Sequence, residues 1–191
     1  MEVILTSAAV VAFAEIGDKT MLLAIVLAAR LRRPLPIILG ILAATLANHA
    51  LAAFVGDVAA TLLSGKWFRY VVAAGFLAMA AWTLVPDKLD DEEAPEVTPR
   101  FGAFVTTLVA FFLVEMGDKT QVATIALGAR YQSVMLVTAG TTLGMMAVNV
   151  PAVLFGGKIV ERVPLSAVRA VAAAMFAAIG LWLLVETATA G

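Results

Sequence analysis

Glu15-Ile16-Gly17-Asp18-Lys19-Thr20 recurs in the second half of the chain as Glu115-Met116-Gly117-Asp118-Lys119-Thr120, at an offset of 100. The same offset pairs Arg30 with Arg130, Gly40 with Gly140, Gly56 with Gly156, Phe76 with Phe176 and Trp82 with Trp182. One matched hexapeptide could arise by chance. A register held across the length of each half is an internal duplication. The predicted organisation is a first repeat over residues 1–86, an acidic linker over 87–99 and a second repeat over 100–191.

Around the motif the chain is apolar. Hydrophobic residues make up 62% and charged residues 14%, against about 25% charged in a soluble domain. The mean hydropathy is +1.00, which fits a chain whose main solvent is lipid. A net charge of -1 gives no attraction to nucleic acid. Six segments are apolar and long enough to span a bilayer: residues 3–29, 35–63, 67–85, 101–129, 134–160 and 165–185. Some exceed a single span, so tilt or partial unwinding is expected. Glu2 is the first charge and no Lys or Arg precedes the first apolar run, so that run is expected in the mature fold rather than in a cleaved signal.

The predicted fold is therefore an all-α integral membrane protein with six transmembrane helices. Three spans per half make the second half enter from the opposite face, so the halves form two inverted three-helix repeats. Secondary transporters are commonly built this way, with the site near the midplane between repeats. Seven Lys and Arg in loops on one side (Arg30, Arg32, Arg33, Lys88, Arg100, Lys158, Arg162) face three on the other (Lys66, Arg69, Arg130). The richer side is expected in the cytoplasm, which places both termini outside and the linker inside.

Six ionisable residues lie inside apolar segments: Glu15, Asp18, Lys19, Glu115, Asp118 and Lys119. Each costs about 2.5–3.5 kcal/mol at a helix centre. They must face protein or water, with partners. On a continuous helix, positions i, i+3 and i+4 share a face, so each triplet is expected on one face. Gly17 and Gly117 permit either close helix approach or local unwinding. Where the two faces meet, Glu15, Asp18, Glu115 and Asp118 are expected to converge on a metal ion. Two Glu, two Asp and two Lys sum to -2 when ionised. One divalent cation neutralises that charge, and so do two protons, as an exchanger requires. With no Cys and one His, the ligands are mostly oxygen, which suits Mg²⁺, Ca²⁺ and Mn²⁺. Thr20, Thr120 and Gln121 can add neutral oxygens, and Asn48 and Asn149 are further intramembrane polar groups. The competing structural reading, salt bridges that merely hold the bundle, leaves the excess of carboxylates unexplained.

Two copies of E-x-G-D-[KR]-[TS], in the first and fourth of six spans, resemble the small cation/proton exchangers related to the Golgi manganese and calcium transporters of eukaryotes, within the lysine-exporter superfamily. The resemblance covers nearly the whole chain, and both motifs match. It implies export of a divalent cation from the cytoplasm in exchange for protons, with Mn²⁺ the leading substrate and Ca²⁺ the second. It implies that the acidic motif residues Glu15, Asp18, Glu115 and Asp118 bind the ion. No resident cofactor is expected, because the ion is cargo. The chain has no long N-terminal extension of the organellar kind, which implies a bacterial inner membrane. The superfamily leaves a second reading, an amino-acid exporter, which the surplus of carboxylates disfavours. A metal-dependent membrane enzyme is a weaker reading still, because neither G-x-S-x-G nor H-E-x-x-H occurs.

Smaller features carry weaker expectations. His49, the single His, is expected to make one hydrogen bond in the bundle, with proton relay or metal binding as the alternative. Gly140-x-x-x-Gly144 is expected to pack a helix within the chain, with homodimerisation the lesser reading. Pro151 is expected to kink its span. Trp67, Trp82 and Trp182 read as interfacial anchors. The acidic linker lacks EF-hand spacing and reads as a solvated connector.

Overall fold

The computed structural model describes residues 1–63, 65–86, 102–156 and 164–189. Among them the chain is helical, in the order α1 (Glu2–Glu15), α2 (Lys19–Leu31), α3 (Pro34–Leu62), α4 (Lys66–Thr83), α5 (Gly102–Glu115), α6 (Lys119–Tyr131), α7 (Val134–Phe155) and α8 (Leu165–Thr189). Helices α3, α7 and α8 are long and apolar enough to cross a membrane, and α5 is a shorter apolar helix. The linker 87–99, with Lys88, Arg100, Lys158 and Arg162, lies outside the described residues.

The segments 3–29 and 101–129 are not continuous helices. Each breaks at the repeated motif. Ile16 is extended, Gly17 takes φ +84, and Asp18 is extended before α2 starts. Gly117 takes φ +79 and Asp118 is extended in the same way. Positive φ is open to Gly and costly for other residues, so the motif glycine supplies the break. The expectation that positions 15, 18 and 19 share one continuous helix face is corrected accordingly. The following helices also end alike. Arg32 and Gln132 take φ 51 and 47 and donate their backbone N–H groups to Ala28 O and Gly128 O, closing the C-terminal turn in the left-handed manner.

The two halves interlock. Helix α1 packs on α7 and α5 packs on α3, so each half buries its first helix against the other; α4 packs on α8 and α3 on α7. Glycines make the crossings close. A Cβ on Gly40 would lie 2.8 Å from Phe104 O and from Thr107 Cβ, and one on Gly140 would lie 2.6 Å from Ile4 O and 2.8 Å from Ser7 Cβ. Positions 4 and 104, and 7 and 107, are themselves related by the offset of 100. Gly144 continues the α7 crossing against Ala8 O, so Gly140-x-x-x-Gly144 serves packing within the chain. Gly56 of α3 meets α6 at Ile125 and Gly128 of α6 meets α3 at Ala53.

The distribution of polarity is inverted relative to a soluble bundle. Leu113 and Leu181 are 62% and 55% exposed, and Trp67, Trp82 and Trp182 also face outward. Glu15, Asp18, Asn48, His49, Glu115, Asp118, Lys119 and Asn149 are buried. In water an apolar exterior over a charged interior is costly on both counts; in a bilayer the exterior is solvated. At one end of the bundle, Glu186 of α8 accepts hydrogen bonds from Arg69 of α4 and Arg130 of α6, both at 2.8 Å. This ion pair ties three helices beside a cavity of about 550 Å³ that Lys66 and Gln132 also line.

Candidate metal centre

The helix breaks build the site. Glu15 is the last residue of α1 and Glu115 the last of α5. A helix C-terminus carries partial negative charge on its unpaired carbonyls. A carboxylate there, buried, is disfavoured twice, and a cation relieves both costs. The N-termini of α2 and α6 begin at the motif lysines. Neither Asp18 nor Asp118 uses its side chain to cap the helix that follows it.

Carboxylate oxygens of Glu15, Glu115 and Asp118 all lie within 4.8 Å of one another, and all three residues are buried. Thr20 donates its hydroxyl to Glu15 Oε2 at 2.6 Å, and Asn149 Nδ2 donates to the same oxygen at 3.4 Å. Thr120 donates to Glu115 Oε1 and also lies 3.3 Å from Asp118 Oδ2. Lys19 Nζ stands 3.5 Å from Asp118 Oδ1. Glu15 Oε1 and Glu115 Oε2 have no hydrogen-bond partner among the described residues. Buried carboxylate oxygens without donors are rare and call for a ligand or protons. Three carboxylates with one ammonium leave a surplus of negative charge when ionised, the surplus a divalent ion removes.

Of the four acids expected to converge, three do. Asp18 instead lines a small cavity with Gly17, Thr83, Lys119 and Arg169. Lys119 donates to Val85 O at 2.9 Å and lies 5.9 Å from the Trp82 ring centroid. Gln121, expected as an oxygen donor to the ion, accepts the Gly117 N–H at 2.7 Å and so braces the break. Asn48 donates to Phe112 O at 3.1 Å. His49, expected to make one hydrogen bond, makes none among the described residues and sits 3.8 Å from Glu115 Oε1. Arg169 and Glu186 were not singled out by sequence; both depend on tertiary contacts that no local pattern announces.

The two breaks differ in their surroundings, and this sets a prediction. Alanine at Gly117 meets nothing within 4 Å among the described residues and, against them, bears only the strain of positive φ, about 1–2 kcal/mol. Alanine at Gly17 bears the same strain and places its Cβ 2.6 Å from Leu165 Cδ2. Thermal unfolding in detergent is expected to rank Gly17→Ala as the more damaging, with Leu165→Ala closing part of the gap. Equal melting points for the two single variants would mean that the Leu165 side chain turns aside at no cost.

The chain matches the family model described as "Divalent cation/proton antiporter GDT1" over residues 3–91 and 103–191. It is 50% identical, over its whole length and 91% of the relative, to a Vibrio cholerae serotype O1 protein named "Putative manganese exporter". It is 32% identical to a GDT1-like protein of Synechocystis, over 76% of this chain and 78% of that one. It is 29% identical to GDT1-like protein 5 of Arabidopsis thaliana, over 80% of this chain and 81% of that one. No solved structure matches the chain. With an interior acidic cluster inside an apolar helical bundle, and a family model covering both halves, the chain belongs to the GDT1 family of divalent cation/proton antiporters.

Proposed function

We propose that the protein exports Mn²⁺ from the bacterial cytoplasm in exchange for protons, with Ca²⁺ as a second substrate, through a site formed by Glu15, Glu115, Asp118 and Asp18. The observation that carries this reading is the buried trio of carboxylates at two helix C-termini, two of whose oxygens lack hydrogen-bond donors. Protons and a divalent ion compete for the same oxygens, so occupancy by one excludes the other, and that exclusion is the coupling. The family supplies the antiport, and the name of the Vibrio relative points to manganese.

The architecture that suits this function is six crossings in two inverted repeats of three, residues 1–86 and 100–191, with α1–α2 and α5–α6 each forming one broken crossing and both termini outside. Breaks of this kind place half-helix ends and unwound carbonyls at a midplane ion. Asp18 is then the counterpart of Asp118 and takes its place beside the glutamates when the two halves exchange conformations. This accounts for four acids in the motifs where three meet in one state.

The test is Mn²⁺ and Ca²⁺ flux in proteoliposomes under an imposed proton gradient. Wild type is expected to move Mn²⁺ against proton flow, and Glu115→Gln to move neither ion. Asp18→Asn and Asp118→Asn are both expected to stop net transport. Full flux in Asp18→Asn would remove Asp18 from the cycle. Absence of flux of both ions from folded wild type would sink the cation reading, and amino-acid export would be assayed next.

A further inference from the structure

We propose that His49 is a direct ligand of the transported ion and that it sets the preference for Mn²⁺ over Ca²⁺. The inference rests on the cation site proposed above. His49 lies on α3, is fully buried, and holds Nε2 3.8 Å from Glu115 Oε1. Neither ring nitrogen has a hydrogen-bond partner among the described residues. Buried polar side chains nearly always find one, so an imidazole left without any beside an acidic cluster is a donor set aside for something else.

The spacing fits a shared ion. At 3.8 Å the pair is too far apart for a hydrogen bond. Two atoms that each bind one ion at roughly 2.2 Å lie no more than about 4.4 Å apart, and for ordinary bond angles about 3 Å or more. The observed separation falls within that range, so His49 would reach the ion from the Glu115 side, beyond the mutual 4.8 Å cluster of the three carboxylates.

The duplication sharpens the point. The residue at the offset of 100 from His49 is Asn149. Asn149 approaches Glu15 as His49 approaches Glu115, but its amide nitrogen is already used, donating to Glu15 Oε2 at 3.4 Å and to Met145 O at 3.1 Å. Equivalent positions thus face the two glutamates with different chemistry. One half offers an amide whose nitrogen is engaged and whose oxygen is open, and the other an imidazole with neither nitrogen engaged among the described residues. An ion held between the glutamates meets only oxygen from one side and a nitrogen from the other.

Nitrogen changes which ion the site prefers. Ca²⁺ takes six to eight oxygen ligands and gains little from imidazole. Divalent transition ions gain from it, in the order Mn²⁺, Fe²⁺, Co²⁺. His49 therefore raises Mn²⁺ relative to Ca²⁺, and raises Co²⁺ further still.

Because His49 is the single His in the chain, isotopic labelling of histidine marks one residue. Mn²⁺ is bound to purified full-length protein in detergent and read by pulsed electron paramagnetic resonance. Wild type is expected to show nitrogen coupling that changes when histidine carries ¹⁵N. In His49→Asn, which installs the residue of the other half, bound Mn²⁺ is expected to lose that coupling. Its affinity relative to Ca²⁺, measured by displacement, should fall on the order of 10–100-fold. Mn²⁺ bound to wild type with no ¹⁵N-sensitive coupling, or an unchanged Mn²⁺ to Ca²⁺ ratio in folded His49→Asn, overturns the role of His49 and leaves the cation site standing. If wild type binds neither ion, the functional reading falls and the ligand with it. The labelled wild type gives its answer even where the variant fails to fold.

Discussion

Glu15→Gln is expected to lower Mn²⁺ flux in proteoliposomes by at least about 100-fold while leaving the protein as stable as wild type, or more so. Loss of an outer partner of a metal site alone costs 10–100-fold in affinity or activity, and Glu15 is proposed as a direct ligand. Its Oε2 is held by Thr20 and Asn149, and its Oε1 has no donor. Glutamine keeps the shape and can still accept the Thr20 hydroxyl. It removes a buried charge at a helix C-terminus, where both desolvation and the helix dipole oppose one. Lost function with retained or raised melting temperature is the signature of a site whose stability was given up for binding. Asp118→Asn is expected to match it in flux but not in stability, because Asp118 faces Lys19 at 3.5 Å. Substantial flux in both variants, from vesicles with normal incorporation, would mean that the ion passes elsewhere.

The largest structural effect is expected at Gly56. A Cβ there would stand 2.0 Å from Ile125 O and 2.7 Å from Ala129 N, both backbone atoms of α6. Neither can turn aside as a side chain can, so α3 and α6 must separate along their crossing. Overpacking of a well-packed core costs typically 1–3 kcal/mol, and a rigid contact this short lies at or above the upper end. Gly56→Val is expected to prevent recovery of monodisperse protein, and Gly56→Ala to lower the melting temperature by many degrees. Gly75 of α4 is the control, since a Cβ there meets nothing within 4 Å among the described residues. Gly75→Ala is expected to be neutral or to stabilise by about 0.5–1 kcal/mol, because Gly within a helix is entropically costly. The same sign for both substitutions would refute the close approach of α3 and α6.

The sequence was most informative where chemistry and repetition coincide. An apolar chain with a charged hexapeptide repeated at a fixed offset is enough to expect a helical membrane protein whose acids meet inside, and Glu15, Glu115 and Asp118 do meet. The helix breaks were harder to foresee. Apolar residues run up to Ile16 and resume at Met21; the interruption is too short to separate two spans, and Gly17 can be read either as a packing contact or as a break. Only tertiary context decides between those two. The separate position of Asp18 was hidden for another reason. The two motifs are nearly identical in sequence but lie against different neighbours, Leu165 at Gly17 and, among the described residues, nothing within 4 Å of a Cβ at Gly117. His49 was expected to make one hydrogen bond, with proton relay or metal binding as the alternative, and makes no hydrogen bond among the described residues. Choosing by residue type groups Asn48 with Asn149, whereas the offset itself groups His49 with Asn149. The ion pair of Glu186 with Arg69 and Arg130 spans 117 and 56 residues, and no local spacing foretells it.

The crossing of α1 with α7 has a consequence for how the chain is made. Glu15 is synthesised early, and of the donors that hold it only Thr20 follows at once; Asn149 comes 134 residues later. At about 5–20 residues per second, the ribosome supplies that second donor on the order of ten seconds after the first. Until then α1 carries its carboxylate without the helix that will cover it. The first half of the protein therefore cannot complete its own packing as it emerges, and the covering of Glu15 waits for α7 of the second half.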